Sequence, residues 1–406
     1  MIRTHTKRHF GKPRVSVLQV IPFFAPAYGF GGPVKVCLDI ASFLRKKNYP
    51  VTVITTDADD SGGRITKLRE TIHNIPVIRF RNLFPGMTKR WNMFFPIGLW
   101  SWARTNIQSY DIIHLHSFFT YLNIVMTFIS KQHNIPYIVH LHESPVPFRE
   151  RGKYIIKHIY NVLFGKKILK GASKIITLTQ HDKEELTRYL PSIHKNITVV
   201  PNGIHFSPPS SLDKTAIRKQ YRIDINKIVI LSLSRLSYLK GVDLLLDAFH
   251  ELTKLRSDVL LFIAGSDEGM LHKLRERVKT YNIQHYVRFL GTVVGEEKES
   301  LYRISDLYAL FSRYEPFSIT TLEALQYHLG VCLTHAVGVS SAVISKQCGI
   351  FISDPNDAKK SAHELLKAIE VRSAFSKNSQ KVLQMFRLKD QCMRIERIYI
   401  DAIDFI

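Results

Sequence analysis

DLYALFSRYEPFSITTLE, residues 306–323, sets a short apolar run before a polar loop and a helix start, with a glutamate at either end of its last nine positions. DLYALF has the length and character of a buried strand. Pro316 suits the first position of a helix, because its fixed φ is already helical and its missing N–H would be unpaired there. A helix is therefore predicted to begin here, with the N–H groups of Phe317, Ser318 and Ile319 facing outward, where the helix dipole favours an anion. Glu315 sits in the loop beside them. At about 1.5 Å per residue, Glu323 lies roughly 7–8 Å further along the axis than Ser318. A diphosphate-linked ligand fits that spacing, although an exposed acidic helix has the same pattern, so the surrounding chain decides.

Working outward, short apolar runs alternate with longer amphipathic stretches, which is the signature of a parallel sheet covered by helices. The first half offers VSVLQVI, VTVITT, PVIRF, DIIHLH, PYIVHLH, KIITLT and ITVV. After a polar break at SPPSSLDKT (207–215) the second half offers IVILSL, VLLFIA, VRFL, DLYALF, VCLT and GIFIS. Two doubly wound α/β domains follow, residues 14–208 and 209–385, facing each other across a cleft beyond the strand carboxyl ends. Residues 1–13 form a basic tail, and 386–406 form a closing helix that packs back on the first domain. The length of 406 residues suits two cores rather than one.

The chain carries 57 Lys plus Arg against 34 Asp plus Glu, net +23, which points to anionic partners. The excess is uneven: residues 1–210 hold 29 basic and 11 acidic side chains, whereas residues 211–406 hold 28 and 23. A nucleic-acid-binding module is a competing reading of the basic half and would show basic residues interleaved with stacking aromatics on one sheet face, but it does not account for Glu315, Glu323, Arg235 and Lys240 together, so nucleic acid is not an expected partner. Four cysteines without paired spacing suit a reducing, cytoplasmic setting. The basic first fourteen residues lack the apolar stretch of a signal peptide, and no later run reaches the roughly 18 apolar residues that span a bilayer.

Several motifs fall at strand ends. Gly31 and Gly32 follow the first strand and precede a helix expected near Pro33; paired glycines there allow either a close backbone approach to a ligand or a tight turn. SRLSYLKG (234–241) follows the first strand of the second domain, and its Arg235 and Lys240 are able to grip two phosphates. HLH occurs at 114–116 and again at 140–142, each pair on one strand face. Metallohydrolases hold cations in this way, but no accompanying ligand set is apparent, so no metal is expected. His142, followed by Glu143, is the functional candidate of the four, with His114 and His140 read as packed.

With these stretches in order, the chain resembles the family 4 glycosyltransferases of the GT-B fold across nearly its whole length. The resemblance rests on the glycine loop, DIIHLHSFF, PYIVHLHE, ASKIITLT, VVPNGI, SRLSYLKGVDLLLDAF, FIAGSDEG, VRFLG and SRYEPFSITTLEAL. It implies metal-independent sugar transfer from a nucleotide-diphosphate donor, with retention of configuration and no cofactor. By the same resemblance Arg235 and Lys240 bind the donor diphosphate, Glu315 contacts the transferred sugar, Glu323 holds the ribose hydroxyls, His142 lies near the sugar and Gly32 near the phosphate. The first domain would take the acceptor and the second the donor. Ser234 departs from the family's usual glycine, and HAVGVSSA (335–342) lacks its usual paired glycines. Other readings are a glucan synthase or sugar phosphorylase of the same fold, or a metal-dependent hydrolase built on the HxH pairs.

The acceptor side is read from charge and aromatics. Trp91, Trp100 and Trp102 fall together beside Lys89, Arg90 and Arg104, and residues 148–174 carry eight Lys or Arg against one Glu. Ile155, Ile156, Ile159, Tyr160 and Leu163 are spaced to form an apolar helix face, with Lys153, Lys157, Lys166 and Lys167 beside it. Aromatic rings with basic flanks suit an anionic membrane interface. The expectation is a peripheral protein on the cytoplasmic leaflet with a lipid-linked or glycan acceptor.

Overall fold

A computed structural model describes residues 15–84, 86, 88, 93–147, 153–206 and 213–404. The expected basic tail (1–13) and Trp91 lie outside the described residues.

Two sheets organise the chain. The first has the order β3 (Arg69–Ile72), β4 (Ile75–Phe80), β2 (Val51–Thr56), β1 (Val17–Val20), β5 (Ile112–His116), β6 (Tyr137–His140), β7 (Lys174–Thr177), β8 (Ile197–Val199), and the second β11 (Val287–Gly291), β10 (Val259–Ala264), β9 (Ile228–Leu233), β12 (Leu307–Leu310), β13 (Gly330–Thr334), β14 (Gly349–Ile352). Apart from β3 (Arg69–Ile72), which runs antiparallel to β4 (Ile75–Phe80), all neighbours are parallel. The β3 strand was not foreseen: its residues alternate between exposed and half-buried, and its turn to β4 is made by His73 and Asn74, both at positive φ.

Central strands are buried on both faces and so read as continuous apolar runs. This holds for β1 (Val17–Val20), β9 (Ile228–Leu233), β10 (Val259–Ala264) and β12 (Leu307–Leu310), every residue of which is buried. One core fills both sides of the first sheet, and two clusters cover the faces of the second. The helix Leu388–Asp404 contributes Cys392, Ile395, Ile398 and Tyr399 to the first core, although it follows the second sheet in sequence.

Strand order locates the binding positions. In the first sheet the chain runs outward from β1 through β2 (Val51–Thr56) on one side and from β5 (Ile112–His116) through β6 (Tyr137–His140) on the other. In the second it runs from β9 to β10 and from β12 to β13 (Gly330–Thr334). The points where direction reverses, β1/β5 and β9/β12, leave crevices between diverging loops at the carboxyl ends of the strands. Among the described residues no helix is long and apolar enough to cross a membrane.

Candidate active site

The β9/β12 crevice receives two loops. The first leaves β9 through Arg235 and a short 3-10 turn, Tyr238–Lys240, before the helix Val242–Leu255. Gly241 sits between them at φ 61°, and a Cβ there would collide with the carbonyl oxygen of Phe311 at the end of β12. Glycine at this position thus lets the two strand ends approach. The second loop leaves β12 and carries Glu315.

Lys240 Nζ donates to Glu315 Oε2 at 2.5 Å, with both side chains largely shielded. Arg313 fixes the same corner. Its guanidinium bonds both Asp243 oxygens, at 2.8 and 2.7 Å, and lies 4.0 Å from the Tyr238 ring centroid. The Glu315 backbone is clamped by the next loop: its N–H donates to Ala336 O and its carbonyl accepts from Gly338 N. Gly338 is packed so tightly on the Pro316 carbonyl that no Cβ fits.

The helix begins later than the sequence suggested. Ser318, at φ 75°, is the N-cap of Ile319–Gln326, and its Oγ accepts from Thr321 N at 3.3 Å. Pro316 therefore belongs to the loop, because the chain must first pass under Gly338. Ile319 and Thr320, rather than Phe317 and Ser318, lead the first turn, while Phe317 is buried in the second core. Gly32, the first residue of the helix Gly32–Lys46, faces this turn across the cleft: a Cβ on it would stand 3.3 Å from Ile319 Cδ1. Gly31, at φ 101°, caps that helix. Two helix N-termini thus converge from opposite domains.

Glu323 lies down the same helix. Lys298 Nζ stands 2.7 Å from its Oε2, and Tyr302 donates its hydroxyl to Oε2 at 2.9 Å. Arg235 projects over the crevice mouth, paired with Glu268 at 2.5 Å and partly solvated. Each cation assigned to phosphate thus already faces a carboxylate. The domains meet where Ser144 N donates to the Tyr314 hydroxyl at 2.8 Å, beside a crevice lined by Leu141, Glu143, Pro145 and Pro316.

His142 lies beyond β6, its Nε2 3.0 Å from His116 Nδ1, and burial pushes its pKa down to about 3, so it is neutral at pH 7. A neutral ring offers a hydrogen bond and not a charge. The two HxH pairs are one cluster: parallel pairing sets His116 opposite His140. His114, His116 and His140 are buried. A hydrolytic metal needs an open coordination position facing substrate, which such burial does not offer.

Residues 213–382 match the profile of glycosyl transferases group 1, and residues 30–207 match that of glycosyltransferase family 4. The chain belongs to this glycosyltransferase family. The transferase is 29% identical over 52% of its length to mannosylfructose-phosphate synthase of Agrobacterium fabrum, spanning 48% of that relative. It is 26% identical to alpha-monoglucosyldiacylglycerol synthase of Streptococcus pneumoniae, over 72% of this chain and 67% of that one. Its fold matches Anabaena HepE, solved in complex with UDP and glucose, with a TM-score of 0.74 and 21% identity, covering 95% of this chain and 99% of that chain.

The residues predicted to face acceptor and membrane divide. Ile155, Ile156, Ile159 and Leu163 of the transferase are exposed along Tyr154–Gly165, joined by Val162 and Phe164, with Lys166 and Lys167 exposed beyond them. Tyr160 points inward, its hydroxyl donating to Phe118 O at 2.9 Å. Lys157 is not free for a membrane, since it pairs with Glu143 at 3.0 Å and lies over the Phe119 ring. Lys153 is exposed, yet partial burial and then the Lys157 charge lower its pKa, while Glu143 and Glu268 oppose the shift. Trp102 packs on Phe80 and Tyr110, whereas Trp100 stays exposed beside Phe128.

Glu268, Lys298, Tyr302 and Tyr314 were not singled out from sequence. FIAGSDEG and SRYEPFSITTLEAL contain the first and last, but Lys298 and Tyr302 carry no local motif.

Proposed function

We propose that the transferase moves a sugar from a nucleoside-diphosphate donor to a lipid-linked or glycan acceptor at an anionic membrane surface, with retention of configuration. The single observation that carries this reading is the convergence of Lys240, Glu315 and the Ile319 helix start on the β9/β12 crevice, opposite Gly32. Developing charge on a leaving diphosphate is stabilised by preorganised donors and cations. Lys240, Arg235 and the first-turn N–H groups supply them, so no divalent cation or cofactor is required. The Anabaena fold-mate solved with UDP and glucose supports a nucleotide-sugar donor.

In this reading Glu315 holds the transferred sugar while Lys240 engages phosphate, and His142 contributes a neutral hydrogen bond. Acceptor attack on the face that the diphosphate leaves, with a phosphate oxygen taking the acceptor proton, accounts for retention without a carboxylate nucleophile. The membrane part rests on the exposed apolar strip with Lys166 and Lys167 beside it, and the glycolipid-synthase relative supports it. Such a chain would sit on the cytoplasmic leaflet, where nucleotide sugars are available.

Incubation with a panel of nucleotide sugars and membrane lipid extract, followed by mass spectrometry, tests the reading. Release of one nucleoside diphosphate with a new glycolipid or glycan product, unaffected by Mg²⁺ or Mn²⁺, is expected. No consumption of any nucleotide sugar would contradict it.

A further inference from the structure

The cleft chemistry uses His142 alone, yet the structure gathers four histidines. β1, β5 and β6 are adjacent, with Gln19 opposite His114 and His116 opposite His140, so these side chains share one sheet face. Their rings lie against one another in one cluster. Centroids are 4.1 Å apart for His114 and His116, 5.4 Å for His116 and His140, and 4.4 Å for His140 and His142. His114 and His116 are 0% exposed and His140 is 1% exposed.

A dry aromatic cluster would leave too much unmatched. Buried polar atoms are nearly always hydrogen-bonded, but among the described residues His140 has no partner at either ring nitrogen, and His114 Nε2 has none. One nitrogen from each of His114, His116 and His140 lies within 4.8 Å of the others.

We infer that His114, His116 and His140 form a binding site for a divalent transition-metal ion of the zinc type, closed from the cleft side by His142. Neutral imidazole is the ligand form. Metal-ligating histidines commonly anchor their second nitrogen on a fixed polar group. Here His114 Nδ1 meets the Tyr399 hydroxyl at 2.6 Å, leaving Nε2 for the ion. His116 Nε2 meets Gln19 Oε1 at 2.6 Å. That oxygen only accepts, so His116 donates from Nε2 and its Nδ1 carries the lone pair, which faces His142 Nε2 at 3.0 Å in this structure and would pass from that contact to the ion. Zinc–nitrogen bonds of about 2.0–2.1 Å set tetrahedral ligands roughly 3.3 Å apart, which small ring rotations reach from the present spacing. An all-imidazole set prefers zinc, copper, nickel or cobalt over magnesium. The ion would tie β5 and β6 to the closing helix through Tyr399, away from the diphosphate crevice.

The test uses the full chain, stripped with a chelator and titrated with Zn²⁺ under equilibrium dialysis, and with Co²⁺ under visible spectroscopy. One ion per chain, imidazole-type d–d bands and a raised melting temperature are expected. His140→Phe, which keeps ring volume, should weaken binding by roughly a hundredfold, and Tyr399→Phe, which removes only the anchoring hydroxyl, by about tenfold. His73→Ala, on the exposed turn, should bind as the wild type does. Uptake well below one ion per chain overturns the inference. So does unchanged affinity in folded His140→Phe or, should that variant not fold, in Tyr399→Phe.

Discussion

Lys240 and Glu315 stand 2.5 Å apart at the carboxyl ends of adjacent strands β9 and β12, each with less than a sixth of its side chain exposed. Without donor the ammonium is neutralised by the carboxylate. A diphosphate bound through Lys240 would have to draw it from Glu315, freeing the carboxylate to accept from sugar hydroxyls. Removing one partner of a shielded pair leaves the other uncompensated, whereas removing both does not. Glu315→Gln should chiefly lower kcat, by about 10²–10³-fold, and Lys240→Met should both lower kcat and raise donor KM. The double variant should recover melting temperature relative to Lys240→Met without recovering activity. Additive losses of stability would show that the pair is not coupled.

Glu323, on the helix Ile319–Gln326, is held by Lys298 and Tyr302. If it receives ribose hydroxyls, Glu323→Gln raises donor KM by about tenfold, near 1.4 kcal/mol, with kcat little changed. Tyr302→Phe should give a smaller rise of the same kind. Steady-state kinetics with a ribonucleotide donor and its 2′-deoxy counterpart check the assignment: the gap between them should shrink in Glu323→Gln. An undiminished gap would remove the ribose role.

These two sites show what the sequence does and does not disclose. The doubly wound order, Gly31 and Gly32, Arg235, Lys240, Glu315 and Glu323 were legible because each sits at a strand end or helix start with a local pattern. Lys298 and Tyr302 were not, because they reach Glu323 from a separate helix, Gly295–Ile304, whose register against Ile319–Gln326 is set by tertiary packing. The joined histidine pairs were hidden for a related reason. Alternation shows that His114 and His116 share a face, but only strand pairing shows that His140 lies opposite His116. Trp102 and Tyr160 looked like surface anchors because composition does not tell which side of a helix meets the core. The displaced helix start has a local cause in the tight packing of Gly338 on Pro316.

Asp243 couples the site to pH. Burial raises its pKa, but the Arg313 hydrogen bonds and charge outweigh burial and leave it below the usual carboxylate value. A folded-state pKa below the unfolded one adds stability that is fully present above the unfolded value of 3.8 and is lost as pH falls through the folded value. Asp243→Asn should therefore cost about 2 kcal/mol at pH 7 and progressively less below pH 4. Denaturant unfolding at both pH values measures this, and a pH-independent difference would refute it.

The apolar strip with Lys166 and Lys167 makes a prediction of its own. The chain should float with anionic liposomes at low salt and not with neutral ones. Ile155→Ser with Leu163→Ser should abolish flotation, because apolar insertion is lost, while donor turnover on a soluble acceptor analogue persists. Lys166→Glu with Lys167→Glu should weaken it by roughly 1 kcal/mol or more per residue. Failure of the wild type to bind either liposome would leave a soluble glycan as the acceptor.

If the proposed function holds, the β9/β12 crevice binds a nucleoside diphosphate through Lys240. Titration calorimetry of wild type and Lys240→Met with UDP and GDP, in buffer without divalent cations, tests it most directly. One site per chain is expected for at least one of the two nucleotides, with affinity reduced at least tenfold in a folded Lys240→Met. Binding that requires Mg²⁺, or that is equal in the two proteins, would contradict it.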